Sequence, residues 1–257
     1  MIDIHCHILP GVDDGARTLE ESIEMARAAS EQGIHTIVAT PHHRNNQFEN
    51  FRADILTRVN ELNLVLKEEN ILVDILPGQE TRIYGDLVEG LMSFEEILPV
   101  NIDSHYILVE LPTSNVPKYT NKLLYDLQVE GYTPVIVHPE RNSELLTKPD
   151  KLYELVKSGI LTQVTAASLV GKFGKKIRNF SHEIVQSNLT HFIASDAHNI
   201  HNRGFELLNA LQEIENYYGE ELVNSYLENA ELMVEGEIII GDIPERITRK
   251  KFLGIFL

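Results

Sequence analysis

Cysteine is nearly absent from this chain of 257 residues. Cys6 is the single cysteine, so no internal disulfide can form, and we expect a reducing compartment, the cytoplasm. Positively charged side chains are also scarce, since 22 Lys and Arg stand against 39 Asp and Glu, a formal net charge of -17. Nucleic acid is bound largely through Lys and Arg. The charge balance therefore argues against nucleic acid as a general partner, although it does not exclude a locally positive pocket.

Long apolar runs are missing as well. No stretch approaches the roughly 18 to 20 apolar residues that span a bilayer, so we expect no transmembrane segment. The N-terminus has neither the basic start nor the apolar stretch of a signal peptide. The hydrophobic fraction of 43% and the charged fraction of 24% are typical of an ordinary globular protein.

Short apolar runs alternate with helical patterns through most of the chain, and we find no internal repeat. This alternation is typical of a parallel α/β sheet or barrel. We predict strands at residues 1–7, 35–40, 71–76, 106–110, 133–137, 160–164 and 192–194, with an irregular segment before residue 106. We predict helices at residues 18–32, 51–69, 118–130, 150–157 and 175–188, and a mostly helical stretch over residues 203–232.

The first strand and helix show the expected start and stop signals. Thr18 and Glu21 have the spacing of a capping box, and Gly33 fits the C-terminal stop of the helix. Seven such units favour a distorted TIM-like (β/α)7 barrel, an α/β fold, although a doubly wound open sheet produces much the same local pattern. The length suits one domain over residues 1–257, with a C-terminal tail from about residue 242.

Potential metal ligands stand at or just after the apolar part of six of the predicted strands. Because the carboxyl ends of the strands of a parallel barrel meet at one rim, we expect these side chains to form one site. Nitrogen and oxygen ligands without thiolates suit manganese, iron or zinc. The candidates are His5, His7, His42, Glu80, Glu110, His138, Asp196 and His198.

No single one of these residues is diagnostic. Strand alternation places Asp3, His5 and His7 on one face, but an isolated His-x-His pair is more often incidental than functional. Of the adjacent histidines His42 and His43 we favour His42 as the ligand, with the other structural or exposed. A lone Glu at a strand end is about as often solvated or salt-bridged. The recurrence at six strand ends is the observation that predicts a metal centre.

Six short motifs carry a resemblance to a known family. In chain order they are Asp-Ile-His-Cys-His, Gly-Val-Asp-Asp-Gly, Ala-Thr-Pro-His, Leu-Pro-Gly-Gln-Glu, His-Pro-Glu-Arg and Ala-Ser-Asp-Ala-His. With these motifs the chain resembles the polymerase and histidinol phosphatase (PHP) superfamily over nearly its whole length. It is most similar to the bacterial manganese-dependent protein-tyrosine phosphatases of capsular and extracellular polysaccharide synthesis.

On matching positions the resemblance implies a cluster of three metal ions, with manganese as the expected metal. The implied ligands are His5, His7, Glu80 and Asp196 for the first ion, Glu80, Glu110 and His138 for the second, and Asp14, His42 and His198 for the third. The preference for Asp14 over Asp13 comes from the family, because spacing does not separate these neighbours. Asp3 is expected to support the ligands without binding metal.

Two arginines complete the implied site. Arg141 follows His138 by three residues, Arg203 follows His198 by five, and both are expected to hold the substrate phosphate. A planar guanidinium donates two parallel hydrogen bonds to phosphate oxygens, which Lys does not reproduce. The alternative for each is an ordinary surface ion pair. The implied reaction is hydrolysis of phosphotyrosine by activated water, attacking phosphorus in line.

The resemblance also implies a partner, a bacterial tyrosine autokinase that would recruit the enzyme to the membrane. A cysteine-dependent tyrosine phosphatase needs Arg six positions after its cysteine, but Val12 occupies that position after Cys6. Two alternatives stay open: a phosphatase of a small metabolite such as histidinol phosphate, and a non-catalytic, metal-stabilised module that binds phosphotyrosine. The basic and apolar tail at residues 249–257 is either a docking segment or an ordinary chain end.

Overall fold

Parallel strands and flanking helices alternate along the chain. The computed structural model describes residues 1–248 and, beyond them, the backbone of two short antiparallel strands at Lys251–Phe252 and Ile255–Phe256. The parallel strands are β1 (Ile2–Cys6), β2 (Thr36–Ala39), β3 (His42–His43), β4 (Asp74–Pro77), β5 (Glu80–Arg82), β6 (Tyr106–Glu110), β7 (Thr133–Val137), β8 (Leu161–Thr165) and β9 (Phe192–Ala194).

The helices cover most of the sequence between these strands. They are α1 (Leu19–Glu31), α2 (Arg52–Glu68), α3 (Leu87–Met92), α4 (Thr120–Val129), α5 (Ser143–Thr147), α6 (Asp150–Lys157), α7 (Ala166–Leu169), α8 (Lys175–Gln186), α9 (Leu207–Tyr218) and α10 (Glu220–Glu235), with a 3-10 turn at Pro139–Arg141.

The strands form two parallel sheets, in the orders β1-β2-β4 and β3-β5-β6-β7-β8-β9. β2 and β3 are successive parts of one strand path, as are β4 and β5, and the breaks fall at residues 40–41 and 78–79. Pro41 lies in the first break and has no amide hydrogen with which to continue a ladder. When each broken strand is taken as one path, the paths correspond to the seven strands predicted from the sequence.

The first and last strand paths meet at their carboxyl ends. The Asp196 amide donates to the His5 carbonyl over 2.9 Å, and the His7 amide donates to the Ala197 carbonyl over 2.9 Å, around a single bridge between Cys6 and Ala197. The described strands thus form a distorted ring that is joined by one bridge and is not one continuous closed ladder. The predicted fold class, an α/β fold of the distorted TIM-like type, is confirmed.

Alternate residues of the strands pack into two apolar cores. On β7, Val135 and Val137 belong to one core and Ile136 to the other. The first core also contains Ile2, at the start of β1, and Met233 of α10. Helix α10 thus packs against residues at the amino ends of the strands. The polar side chains of the strand paths lie at the opposite, carboxyl ends.

The start of α1 follows the predicted signal in part. Thr18 Oγ1 accepts a hydrogen bond from the Glu21 amide over 3.3 Å, which is one half of a capping box. The Glu21 carboxylate, however, accepts from the amide of Arg17 over 2.8 Å and pairs with its guanidinium at 2.6 Å. The helix ends before Gly33, whose φ of 78° is the left-handed stop that glycine adopts most readily.

Three stretches differ from the sequence prediction. The segment before residue 106, predicted to be irregular, contains β5 and α3. The helical stretch at 203–232 is divided into α9 and α10 at Gly219, whose φ is 96°. The third strand lies at Asp74–Pro77 and not at residues 71–76. Elements as short as β5 and α3 carry too little periodic pattern to be recognised in a sequence.

The single domain over residues 1–257 remains a prediction. Within the part of the chain that the structure describes, no helix combines the length and the apolar character needed to cross a membrane. Residues 249–250, 253–254 and 257 of the basic and apolar tail lie outside the described residues.

His191 gives the fold a measurable pH dependence. Its ring is buried just before β9, its Nδ1 accepts from the Thr162 amide over 3.2 Å, and burial lowers the pKa of His191 to about 4. An unfolded histidine has a pKa of about 6.5, so between these two values the unfolded chain binds a proton that the folded chain does not. The resulting stability, on the order of 3 kcal/mol, is complete above about pH 6.5 and is lost as the pH falls toward 4.

We therefore expect the free energy of unfolding of His191→Gln to decrease less steeply than that of the wild type between about pH 7 and about pH 4.5. Urea unfolding at several pH values measures this slope. His201→Gln, at an exposed histidine, should keep the wild-type slope. Equal slopes for His191→Gln and the wild type would contradict this role of the buried ring.

Candidate metal centre

The nine candidate ligands lie at the carboxyl ends of the strand paths or in the loops that follow them. Six are buried, His42 and His138 are half-buried, and Asp14 is exposed. Residues far apart in sequence meet here because the strands are parallel. The nine are His5 on β1 with His7 and Asp14 after it, His42 on β3, Glu80 on β5, Glu110 on β6, His138 after β7, and Asp196 and His198 after β9.

Glu80 contacts imidazoles from three strand paths. Its Oε2 is 3.5 Å from His5 Nε2, 3.3 Å from His7 Nε2 and 2.7 Å from His42 Nδ1. Its other oxygen, Oε1, is 2.7 Å from His138 Nε2. This one carboxylate therefore lies between ligands expected at different metal ions.

Two aspartates contact His7 and His42 as well, and add the imidazole of His198. Asp14 Oδ1 lies 3.4 Å from Nε2 of both His42 and His198. Asp196 Oδ1 lies 3.4 Å from His7 Nε2 and 3.6 Å from His198 Nδ1. The ligand atoms thus form one continuous group, without a gap between the expected sites.

The candidate ligands form four overlapping sets, and within each set the ligand atoms all lie within 4.8 Å of one another. The sets are His7, Asp14, His42 and His198; His5, Glu80 and His138; His5, His7 and Asp196; and His42, Glu80 and Glu110. The first set contains the ligands implied for the third ion, with His7 added. Glu110 and His138, implied together for the second ion, fall in different sets that share Glu80.

Several of these ligand atoms are buried with no hydrogen-bond partner in the described part of the chain. They are His42 Nδ1, Glu80 Oε2, Glu110 Oε2 and His198 Nε2. His42 Nδ1 and Glu80 Oε2 lie 2.7 Å apart, and Glu110 Oε2 lies 3.1 Å from Arg82 Nε, but neither contact is a hydrogen bond. Buried polar atoms without a hydrogen bond are costly. Converging nitrogen and oxygen lone pairs without a thiolate suit manganese, iron or zinc. The residues present therefore fit a centre of divalent cations.

Hydrogen bonds orient the histidine rings. His5 Nδ1 lies 3.0 Å from Gln163 Oε1, and His7 Nδ1 lies 2.7 Å from Asp13 Oδ2. His198 Nδ1 lies 3.0 Å from the backbone oxygen of Asp196. When an acceptor holds the proton of one ring nitrogen, the lone pair of the other nitrogen is directed at the ligand group.

The structure separates residue pairs that sequence spacing leaves open. Asp13 accepts hydrogen bonds from the amides of Gly15 (2.9 Å) and His42 (3.1 Å), and it contacts His7 through Nδ1, the ring nitrogen on the far side from Glu80. Asp14 instead contacts Nε2 of His42, within the ligand group. The neighbour of His42, His43, points away from the centre. Its Nε2 lies 3.2 Å from Glu96 Oε1.

Asp3 lies outside the ligand group. It is fully buried and accepts hydrogen bonds from the Ser195 amide, over 2.9 Å, and from the Ser195 hydroxyl. Burial raises the pKa of Asp3 to about 6. Asp3 therefore ties β1 to the residue that precedes Asp196 and supports the site from behind.

The electrostatics of the group favour neutral imidazole at His138 and His198 and ionised carboxylate at Glu80 and Asp196. Although burial opposes the shift, neighbouring carboxylates raise the pKa of His7 well above its usual value and the pKa of His42 to about 10. Burial, aided by Arg141, lowers the pKa of His138 to about 3, and burial lowers that of His198 to about 4. Although burial opposes their charge, neighbouring cationic groups hold the pKa values of Glu80 and Asp196 well below the ordinary range. Neutral imidazole and ionised carboxylate are the forms that bind metal.

Glu110 differs from the other carboxylates. Burial and the nearby Glu80 raise the pKa of Glu110 to about 7. Arg82 Nε lies 3.1 Å from Glu110 Oε2, and its Nη1 donates to the Leu111 carbonyl over 3.2 Å. Sequence reasoning missed Arg82. The available signal was its position two residues after Glu80, which places both side chains on one face of β5.

His138 and Asp196 have backbone conformations that are uncommon for residues other than glycine. Their φ values are 37° and 51°, in the left-handed region. The His138 amide donates to the Gln163 carbonyl over 2.8 Å, and the Asp196 amide donates to the His5 carbonyl over 2.9 Å. The surrounding strands thus hold both ligands in conformations that cost about 1 kcal/mol or more each.

Arg141 and Arg203 both contact the carboxylate of Asp196. Arg141 Nη2 lies 2.7 Å from Asp196 Oδ2, and Arg203 Nη2 lies 3.3 Å from the same atom. Arg203 Nη1 is also 3.3 Å from Asp14 Oδ2. Both arginines line a cleft of about 210 Å³, together with Glu110 and the ligands His42, His138 and Asp196.

Close packing explains a glycine in each of two motifs. A Cβ at Gly15 would lie 2.1 Å from the His7 carbonyl oxygen and 2.5 Å from His7 Cβ. At Gly78 a Cβ would lie 2.6 Å from a methyl group of Val38. Both distances are too short for real atoms, so these positions exclude a side chain for steric reasons.

We expect Gly15→Ala to lower the free energy of unfolding by about 2–4 kcal/mol and to weaken metal binding, because the backbone of His7 must move. Thermal unfolding with chelator and with added manganese measures both effects. Gly85→Ala is the matched control, since its Cβ would meet no atom within 4 Å. A Gly15→Ala protein with wild-type stability would show that the loop after β1 yields easily.

Comparisons with known proteins agree with this architecture. A family model described as capsular polysaccharide synthesis, CpsB/CapC, matches residues 1–235. Tyrosine-protein phosphatase YwqE of Bacillus subtilis (strain 168) is 48% identical over 256 residues, 100% of both chains. The putative tyrosine-protein phosphatase CapC of Staphylococcus aureus is 41% identical over 258 residues, 99% of this chain and 100% of that protein.

Solved structures agree as well. The crystal structure of YwqE, described with CpsB of Streptococcus pneumoniae as unique metal-dependent tyrosine phosphatases, matches with a TM-score of 0.94 at 48% identity, over 97% of this chain and 100% of that one. An organophosphorus hydrolase variant from Deinococcus radiodurans matches with a TM-score of 0.56 at 15% identity, over 90% and 92% of the two chains, which is a likeness of fold alone. The resemblance found in the motifs is confirmed, and the chain belongs to the CpsB/CapC family of capsular polysaccharide synthesis.

Proposed function

We propose that this protein is a metal-dependent protein-tyrosine phosphatase. The observation that carries the proposal is the meeting, in one cleft, of the ligand group with Arg141 and Arg203. Metal ligands beside two guanidiniums suit a phosphate ester, because both bind phosphate oxygens. The tyrosine phosphatase YwqE, similar along the whole chain, supports phosphotyrosine as the substrate.

The proposed centre holds three manganese ions, with iron or zinc as substitutes of the same ligand preference. The proposed ligands are His5, His7, Glu80 and Asp196 for one ion, Glu80, Glu110 and His138 for the second, and Asp14, His42 and His198 for the third. The distances from Glu80 to imidazoles of three strand paths support its inclusion in two of these ligand sets.

Charge in the cleft favours a phosphate monoester even though the whole chain is acidic. Three divalent cations outweigh the four carboxylates of Asp14, Glu80, Glu110 and Asp196, and the two arginines add further positive charge. A dianionic substrate is therefore attracted to this rim of the barrel and repelled by most of the remaining surface. This contrast directs the phosphate group to the cleft.

The chain's own residues orient the reacting group. When bound, the divalent cations supply water activated as the nucleophile and neutralise charge on the phosphoryl oxygens. Asp196 holds both Arg141 and Arg203 at the cleft, where their remaining N–H groups can donate to phosphate oxygens. Tyrosinate, with a parent pKa of about 10, leaves with less help from a proton donor than a serine alkoxide needs.

The proposed partner is a bacterial tyrosine autokinase whose phosphorylated tyrosines are the substrate, in the control of capsular or extracellular polysaccharide synthesis. The CpsB/CapC family match supports the link to capsular polysaccharide. We place the enzyme in the cytoplasm, recruited to the membrane by the kinase. The tail at residues 249–257, which the sequence leaves open as either a docking segment or an ordinary chain end, falls largely outside the described residues.

The first test is phosphate release from a phosphotyrosyl peptide. We expect chelator to abolish the activity and added manganese to restore it, because the cations supply the nucleophile. His5→Ala and His138→Ala should each lower kcat at least about a hundredfold, since each removes a ligand. Histidinol phosphate, measured beside the peptide, should be the poorer substrate by kcat/KM.

Other results would point to other functions. Preference for histidinol phosphate would favour a metabolic phosphatase, and metal binding without turnover of either substrate would favour a non-catalytic phosphotyrosine-binding module. Chelator-resistant activity on the peptide would contradict the metal-dependent mechanism itself.

Cys6 takes no part in the proposed reaction. Its side chain is fully buried in the apolar core, its Sγ lies 3.5 Å from the Ala197 carbonyl oxygen, and burial raises the pKa of the Cys6 thiol well above its usual value. A nucleophilic cysteine needs an accessible thiolate. We expect Cys6→Ser to keep kcat within about threefold of the wild type. Near-complete loss of activity in a folded, metal-loaded Cys6→Ser protein would require a cysteine mechanism.

A further inference from the structure

Phe173 lies in the loop between α7 and α8, beside the proposed phosphate site. The Cζ atom of Arg141 lies 5.5 Å from the centre of the Phe173 ring, within the range of a cation–π contact. Gly171 and Gly174 flank the ring with φ values of 83° and 90°, left-handed conformations that other residues rarely adopt. These two glycines allow a tight loop that brings an aromatic ring to the guanidinium.

Arg141 is held at two places and free at a third. Its Nη2 pairs with Asp196 Oδ2 at 2.7 Å, and the guanidinium lies over the ring of Phe173. Its Nε is buried and has no hydrogen-bond partner within the described residues. Arg141 lines the cleft, whereas Phe173 does not. Phe173 can therefore influence a ligand in the cleft only through its contact with Arg141.

A neighbouring carboxylate connects the turn that carries Arg141 to the helix that leads into this loop. Glu140 is fully buried, and its Oε1 accepts from the Thr165 amide over 3.1 Å and from the Ser168 hydroxyl over 2.6 Å, at the start of α7. After α7, the Lys172 amide donates to the Ala167 carbonyl over 2.9 Å. The loop and the turn are thus parts of one hydrogen-bonded unit.

A guanidinium on a long side chain loses rotamer freedom whenever it binds phosphate. A ring that already faces the guanidinium, together with an ion pair at one edge, removes part of that cost before substrate arrives. This lower entropy cost applies to any ligand with a phosphate group, both a phosphotyrosyl peptide and inorganic phosphate. The reason is that the Phe173 ring contacts Arg141 and does not line the cleft. The lower cost decreases the dissociation constant without changing the chemical step.

From this geometry we propose that Phe173 is a positioning residue that holds the Arg141 guanidinium for phosphate binding. The inference rests on the proposed function, since it takes Arg141 as a phosphate ligand. Removal of the ring should raise KM for a phosphotyrosyl peptide and the inhibition constant of inorganic phosphate together, roughly three- to tenfold, while kcat stays within about twofold.

The test compares Phe173→Leu, Phe173→Met and Phe173→Tyr in the manganese-loaded enzyme. Leu and Met keep an apolar side chain without a ring, so both constants should rise. Tyr keeps the ring face and should retain wild-type values. Thermal unfolding and metal content, expected to match the wild type in all three, show that the variants are folded and loaded.

Arg141→Lys gives the second half of the test. It should raise both constants about tenfold or more, because Lys lacks the planar fork. Phe173→Leu added to Arg141→Lys should then have little further effect, since a residue that acts through Arg141 is not additive with its loss. Full additivity of the two substitutions would overturn the proposal.

Three further outcomes separate this inference from the function on which it rests. A higher peptide KM with an unchanged phosphate inhibition constant would mean that Phe173 contacts the tyrosyl group, which overturns the inference alone. Wild-type constants in Phe173→Leu and Phe173→Met, beside a weakened Arg141→Lys, would also overturn it alone. Unchanged constants in Arg141→Lys would remove Arg141 from phosphate binding, and with it both proposals for this residue.

Discussion

The constraint on which this structure depends is the burial of several carboxylates and imidazoles at one rim of a barrel. Glu80 alone contacts four imidazoles, and four ligand atoms of the group are buried without a hydrogen bond in the described residues. Such a cluster is unfavourable for a protein by itself, since burying charged and polar atoms without hydrogen bonds is costly. Divalent cations of the proposed centre would reverse the balance, which would link folding and metal binding thermodynamically at this rim.

The bonds that close the barrel are also bonds of the site. The Asp196 amide joins β9 to β1 through the His5 carbonyl, and the Asp3 carboxylate joins the same two strands through Ser195. The positions of His5 on β1 and Asp196 after β9 thus both depend on the pairing of the first and last strands. The left-handed backbone at Asp196 is maintained by these contacts, because an aspartate does not favour that conformation by itself.

In the proposed site, Asp196 also connects metal binding to phosphate binding. One of its oxygens faces the imidazoles of His7 and His198, and the other faces the guanidiniums of Arg141 and Arg203. A single buried carboxylate therefore sets the distance between the cations and the arginines. The exterior of the molecule can be strongly acidic without loss of this function, because the local charges in the cleft dominate the interaction with a bound anion.

Much of the fold and of the candidate site could be predicted from the sequence. Periodicity identified the seven strand paths and most helices, and the position of His5, His138 and similar residues at strand ends was enough to expect that they meet, because parallel strands share one rim. Short elements such as β5 and α7 were missed, since three or four residues do not establish a period. The mid-sheet breaks at residues 40–41 and 78–79 were missed for the same reason.

The sequence by itself determined which residues are able to bind metal and phosphate, and roughly where along the chain they stand. Residue spacing did not decide which of two neighbours faces the centre; the tertiary structure turns Asp14 and not Asp13 toward it, as the family resemblance implied. Tertiary structure also brought in Arg82 and Phe173 from positions that no motif indicated. The physical reason is that the type of a residue fixes its chemistry, and its spacing along a strand fixes the face of the sheet on which it lies. The direction of a loop side chain depends instead on contacts with residues distant in sequence.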